Sequence, residues 1–170
     1  MHSITILIGI NGCGKTAWRN RLIEEERGHL TFSIENCVRG FYYSHRGRIV
    51  DMEIMDAFAK EHPKFPEFMW RKFEAALDKF QSVIIDGDFI TPEQRAPFID
   101  KARARNIPVY AVVFNTPFDI AYERNRRQRK PYRVTKRELE YQVRRLDIST
   151  LKAEVDDVHY VDNIQVKGFA

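Results

Sequence analysis

The sequence predicts an α/β fold, a parallel sheet with helices on both faces, from three observations. Five short apolar runs rich in β-branched residues recur along the chain: Ile4 to Ile8, Leu30 to Ile34, Val83 to Ile85, Val109 to Phe114 and Val158 to Val161. Segments of helical character separate them, and near-continuous apolar strands alternating with helices are the pattern of a sheet buried on both faces. Helix starts are written between the runs: Thr91-Pro92-Glu93-Gln94 is a capping box with proline at the first helical position, Thr116-Pro117 repeats the proline placement, and Thr135-Lys136-Arg137-Glu138 is a second capping box.

Taken in order, the first run leads into Gly9-Ile10-Asn11-Gly12-Cys13-Gly14-Lys15-Thr16, which satisfies G-x-x-x-x-G-K-[ST]. A strand delivers the chain to a tight turn, glycines let backbone N–H groups converge on an anion, and the next helix points its positive dipole end at the same place. Gly9, Asn11, Gly12, Cys13 and Gly14 would cradle a nucleoside triphosphate, Lys15 would reach the outer phosphates, and the Thr16 hydroxyl would ligate Mg²⁺. In the first helix Trp18 and Leu22 share a face and Gly28 supplies a stop. Pro63-Lys64-Phe65-Pro66 separates two amphipathic segments, Met52 to Lys60 and Glu67 to Phe80, between the second and third strands. The second carries Phe68, Met69, Trp70, Phe73 and Ala76; most of this is core, and Trp70 is the candidate for an apolar acceptor wall on which a base could stack. The helix beginning at Pro92 should bend at Pro97.

A chain of 170 residues with 44% hydrophobic content fits one globular domain, 1–170. No apolar run approaches the roughly 20 residues of a membrane span, and Met1-His2-Ser3-Ile4 lacks the charged start and cleavage site of a signal peptide, so a cytoplasmic protein is expected. Cys13 and Cys37 have no metal-ligand spacing and suit a reducing compartment without a disulfide. The five histidines, His2, His29, His45, His62 and His159, show no catalytic or metal spacing either and read as surface or packing residues.

The net charge of +4 conceals an asymmetry. Residues Arg124 to Arg137 hold eight of the 28 basic side chains and no acid, so the rest of the chain carries four more acids than bases. A short basic stretch on a mildly acidic body is an electrostatic footprint for a polyanion, against the competing reading of a solvated helix face. It occupies the place where small P-loop kinases carry a closing lid (here about 124–137) whose arginines neutralise charge on the transferring phosphoryl group. Arg124 is assigned to the nucleotide, Arg127 and Arg129 to the transferring group, Arg126 and Lys130 to the acceptor; which arginine is the finger stays open.

The third strand ends in Ile84-Ile85-Asp86-Gly87-Asp88. An acid at the end of an apolar strand beside a phosphate loop is where a carboxylate holds Mg²⁺, directly or through water, and Asp86 is the candidate. Asp88 reaches further toward the crevice at the carboxyl ends of the strands and could accept a hydroxyl proton, unless it merely starts the turn. After the second strand, Glu35 is another candidate base and Arg39 a fork for an acceptor phosphate, unless Glu35-Asn36-Cys37-Val38-Arg39 is a solvated loop.

From Ile4 to about Tyr141 the chain resembles the phosphotransferase domain of phage polynucleotide 5′-kinase and its relatives, including zeta-toxin-like kinases. The resemblance rests on Gly9 to Thr16 followed by Ala17-Trp18, on Val83-Ile84-Ile85 leading to Thr91-Pro92-Glu93-Gln94-Arg95, and on Val113-Phe114 leading to Pro117 and Glu123-Arg124-Asn125. It implies a P-loop NTPase with an adenylate-kinase-like five-stranded parallel sheet and a basic lid, ATP with Mg²⁺, and γ-phosphate transfer to a hydroxyl of DNA or RNA. One departure matters: matching Arg39 to the family's arginine places Asn36 where the family has its basic aspartate, and an amide cannot take the proton. A related group of phage enzymes phosphorylates the hydroxymethyl group of 5-hydroxymethyluracil in DNA, which also requires a basic groove and a base pocket.

The expectation is therefore an ATP-dependent kinase acting on a nucleic acid, DNA before RNA, at a 5′-OH end or at 5-hydroxymethyluracil. If phage-encoded, it would work in the host cytoplasm. Two rivals use the same residues: a small-molecule kinase for a nucleoside, nucleotide or sugar, and a non-catalytic nucleotide-switched binding protein. The sequence leaves the oligomeric state open.

Overall fold

The computed structural model describes residues 2–25, 29–47, 51–79, 82–129 and 132–162. The helix stop assigned to Gly28, the end of the second amphipathic segment at Phe80, and Lys130 lie outside the described residues. Five parallel strands, β1 (Ser3–Ile8), β2 (His29–Ser33), β3 (Ser82–Asp86), β4 (Val109–Phe114) and β5 (Asp157–Val161), form one sheet in the order β2-β3-β1-β4-β5. The α/β class and five-stranded parallel sheet are as the sequence predicts. With β1 in the centre, the chain crosses from one side of the sheet to the other at the strand that carries the phosphate loop, where open α/β sheets bind ligands.

Alternation along the strands sorts the core into two layers. Ile4, Ile6, Ile8, Val83, Ile85, Val109, Ala111 and Val113 pack with Phe73, Ala76 and Leu77 of α4 (Phe65–Lys79) and Phe98, Ile99 and Ala102 of α5 (Pro92–Arg103). On the opposite face Leu7, Ile84, Val112 and Phe114 meet Trp18 and Leu22 of α1 (Lys15–Glu25), Ala121 of α6 (Phe118–Arg127) and Leu139 of α7 (Lys136–Arg145). The sequence places Trp18 and Leu22 together, and they do share this face.

The region after β2 differs from the sequence reading. Ile34 is not the last strand residue, and residues 35–39 are not a loop: β2 passes straight into α2 (Ile34–Arg46), capped by Ser33, whose Oγ accepts from Asn36 N at 3.3 Å. Cys37, Val38, Phe41 and Tyr42 supply its buried face, and burial pushes the Cys37 thiol up to about 11. Helix α3 (Met52–Glu61), capped by Asp51, packs on α2 through Met55 and Ala59. His45 and His62 join this packing, their rings 4.3 and 5.0 Å from that of Phe41.

Helix α5 runs through Pro97 to Arg103. Its fully buried Arg95 forks onto Glu154 of α8 (Leu151–Glu154) at 2.8 and 2.9 Å and donates to the Phe89 carbonyl at 3.1 Å. The guanidinium holds the Glu154 carboxyl below its usual range. That pair ties α5 to the strand-five edge of the molecule.

Candidate active site

The phosphate loop occupies the turn between β1 and α1, and its shape depends on glycine. Gly12 has φ +82°, and a Cβ there would lie 2.2 Å from the Ala121 carbonyl oxygen of α6; Gly14 has φ +106°. Three neighbouring loop residues are fixed from distant elements. Asn11 N–H donates to Gln142 Oε1 of α7 at 2.9 Å, Gly12 abuts Ala121, and Thr116 Oγ1 donates to the Cys13 carbonyl at 2.9 Å. Asn11 therefore gives its N–H to Gln142 rather than to an anion, a correction to its assignment in the cradle. The Cys13 N–H is likewise used within the loop, donating to the Ile10 carbonyl at 3.3 Å.

Lys15 opens α1, and its ammonium donates to the carbonyls of Gly9 (2.5 Å) and Ile10 (3.2 Å), arching back over the loop. Thr16, next along, is exposed. One turn further, Arg19 Nη1 donates to Asp86 Oδ2 at 2.6 Å, while its Nε and Nη2 rest on Asn20 Oδ1 at 3.3 and 3.1 Å. The Arg19 and Asp86 side chains are 19% and 15% exposed. This ion pair brings the end of β3 to the first turn of α1, so Asp86 sits beside the helix that carries Thr16. Arg19 was not singled out by the sequence; its only trace is helical spacing, three residues beyond Thr16.

Across the crevice, Glu35 and Arg39 occupy the first turns of α2 and pair with each other at 2.5 Å. Arg39 Nη2 also donates to the Tyr132 hydroxyl at 3.3 Å, with its guanidinium carbon 5.7 Å from the ring centre. Asp88 is exposed beyond the end of β3. Its charge and that of Glu138 on α7 raise the Lys60 pKa on α3, after the dominant hydrogen bond that Lys60 donates to Asp56. Asp88, Lys60 and Glu138 therefore lie close enough to feel one another's charge. Trp70 packs elsewhere: its ring lies 4.7 Å from Phe98 and 6.0 Å from Phe73, with the Lys101 ammonium 5.1 Å above it. The acceptor-wall assignment of Trp70 is corrected; the residue belongs to the α4–α5 packing.

The basic stretch divides by environment. Arg124 is half-buried on α6, three residues on from Ala121 and so on the helix face that meets the loop. Arg126 pairs with Glu123 at 2.8 Å, and Arg127 and Arg129 are exposed. Asn125, 1% exposed, donates to the Val134 carbonyl at 2.7 Å and accepts from Val134 N at 3.1 Å, closing the segment between α6 and α7 with one amide. Asn125 and Gln142 were both missed as site-building residues. Nothing in their sequence surroundings marks a polar side chain that becomes buried. Among the described residues no group of three or more His, Cys, Asp or Glu side chains is placed to hold a metal, and no helix is long and apolar enough to cross a membrane.

A family profile described as an AAA domain matches residues 4–148. The chain belongs to the AAA-domain family. The match takes in the phosphate loop, Asp86, Arg39 and the whole basic stretch. No curated protein matches the chain in sequence. Two solved structures resemble this AAA domain in fold. A candidate kinase from Chloroflexus aurantiacus j-10-fl is 16% identical with a TM-score of 0.67, the alignment covering 95% of this chain and 85% of that one. The tunicamycin resistance protein of Deinococcus radiodurans is 17% identical with a TM-score of 0.59, covering 95% and 86%.

Proposed function

We propose that the protein is an ATP- and Mg²⁺-dependent kinase that transfers the γ-phosphate to a hydroxyl on a nucleic acid, DNA in the first instance. The observation that carries the proposal is a phosphate loop at the end of the central strand β1, supported by an arginine-bearing helix that follows β2 and touches Tyr132 of the basic segment. The residues fit the nucleotide and the metal: Gly12 and Gly14 hold the loop in positive-φ backbone that a bulkier residue rarely adopts, and a hydroxyl and a carboxylate, Thr16 and Asp86, are hard oxygen donors of the kind Mg²⁺ takes. Arg19 engages one oxygen of Asp86 and leaves the other for the metal or its water. Bound Mg²⁺ would neutralise charge on the β- and γ-phosphates.

The chain's own residues then divide the remaining work. Lys15 and the backbone of the glycine loop hold the phosphates, and Arg124, Arg127 and Arg129 of the proposed lid bring positive charge toward the transferring group. Arg39 and Arg126 orient the acceptor. Asp88 takes the hydroxyl proton. It is exposed at the strand end, whereas the Glu35 carboxylate already accepts from Arg39. Positioning and charge carry such a transfer, with little covalent chemistry asked of the protein.

A second reading, a small-molecule kinase, draws on the Arg39–Tyr132 contact, which brings the lid segment against α2 and favours a small acceptor. Terminally labelled ATP offered with 5′-OH DNA, 5′-OH RNA, hydroxymethylated DNA and free nucleosides separates the two. Label on polymer ends supports end phosphorylation, and label on an internal base supports the modified-base acceptor. Label on free nucleosides alone refutes the nucleic-acid reading.

A further inference from the structure

Beyond the crevice, helix α7 carries a charged face that the phosphoryl-transfer site does not use. Leu139 and Gln142 are buried, and on the opposite side Arg137, Tyr141 and Arg144 follow one another at i, i+4 and i+7, all exposed, the tyrosine at 48%. Of the acids of the helix, Glu140 borders the stripe, three residues from Arg137 and four from Arg144, and lies 3.9 Å from Lys136, while the charge of Glu138 is felt by Lys60 on α3. Among the described residues neither Arg137 nor Arg144 has an acid within ion-pair distance. Arg145 flanks the stripe within the field of Glu93 on α5. The stripe begins where the segment after α6 ends and extends about 10 Å along α7.

We propose that Arg137, Tyr141 and Arg144 form a docking track for a single nucleic-acid strand leading away from the acceptor hydroxyl. The track rests on the nucleic-acid reading above and deepens it. Two guanidiniums a helical turn on either side of an exposed phenol match the composition of a strand, whose phosphates seek the cations and whose base faces seek the ring. Such a surface has no use in a kinase for a free nucleoside. It adds affinity in proportion to acceptor length, without touching the reacting atoms.

The test is fluorescence anisotropy of the full chain with labelled 5′-OH single strands, a trinucleotide and one of about 12 nucleotides, between ~50 and ~200 mM salt. For the longer strand, Arg137→Ala with Arg144→Ala should flatten the log–log salt slope by about 1.4, since each phosphate contact on a single strand contributes roughly 0.7. Tyr141→Ala should weaken binding about 5-fold or more, with Tyr141→Phe close to wild type because the ring face is kept. Trinucleotide binding should be unchanged in every variant. Wild-type slope and affinity in the variants, equal wild-type affinity for both lengths, or preferential binding of phosphatidylserine vesicles or a polyglutamate peptide would overturn the track while the kinase stands. If the wild type binds no strand of either length yet phosphorylates a free nucleoside, the nucleic-acid reading itself fails.

Discussion

The two sides of the crevice are held in opposite ways. On the nucleotide side, positioning contacts come from far along the chain: Gln142 to Asn11, Ala121 against Gly12, Thr116 to Cys13 and Arg19 to Asp86. On the proposed acceptor side the ion pairs are local, Glu35 with Arg39 and Glu123 with Arg126, each between neighbours on one helix and open to solvent in part. Charge stabilisation in a transition state needs donors fixed before the reaction begins, while an acceptor and a closing segment must come and go. The contrast teaches where substitutions should be costly. Changes on the nucleotide side should remove turnover or distort the loop, and changes on the acceptor side should alter acceptor affinity at little cost in stability.

The sharpest break is expected at Lys15. Its ammonium is held within the loop, by the Gly9 and Ile10 carbonyls and the Cys13 sulfur, so Lys15→Ala should leave the melting temperature near wild type and lower phosphoryl transfer by about 10²- to 10³-fold, the usual loss of one donor to developing charge. Turnover within about threefold of wild type in the labelled-phosphate assay would remove the loop from the chemistry. The proposed base comes next. Asp88→Asn should slow kcat about 100-fold with little change in acceptor KM, and Glu35→Gln should act mainly on KM by releasing Arg39. The reverse ranking would move the base onto α2.

The same contrast explains what could be read from the amino acids. The phosphate loop is contiguous, and its glycines are forced by backbone geometry, so residues 9–16 announce themselves. The three inner strands β1, β3 and β4 are apolar on both faces and equally visible. Residues joined only by tertiary packing leave no local trace. Gln142 is 131 positions from Asn11, and Arg19 is 67 from Asp86. Glu35 to Arg39 reads equally as a loop in the sequence because the strand runs into the helix with no turn residue between them; Ser33, as a cap before Val38, Phe41 and Tyr42, hints at the helix. Trp70 misled in the other direction, since an aromatic on an amphipathic helix is as useful to a core as to a pocket.

Gln142 probes how far the nucleotide side depends on the helix that follows the basic segment. Gln142→Leu keeps the volume but strands the Asn11 N–H, a loss on the order of 1 to 3 kcal/mol for an unsatisfied group in a buried setting. The expected result is a nucleotide dissociation constant raised about 5-fold or more in calorimetry, with kcat at saturation near wild type. Gln142→Glu restores an acceptor for Asn11 but places a charge beside the phosphates, so it should recover the melting temperature without recovering nucleotide affinity. Equal nucleotide affinity in all three proteins would make the Gln142 bond irrelevant to the loop.

The smallest effect belongs to an exposed contact between α2 and the segment after α6. Arg39 meets Tyr132 through both its hydroxyl and the face of its ring, and such exposed interactions are worth about 0.5 to 1 kcal/mol. Tyr132→Phe removes the hydroxyl and keeps the ring; Tyr132→Ala removes both. If the contact holds the segment after α6 against α2, both variants should speed limited proteolysis of that segment, by about two- to fivefold in the alanine and less in the phenylalanine. Acceptor KM should then rise in the same order, because each variant lowers the population in which Arg39 is presented to the acceptor. Faster cleavage with an unchanged KM would show that the contact closes the segment without organising the acceptor, and the asymmetry between the two sides would then extend to function as well as construction.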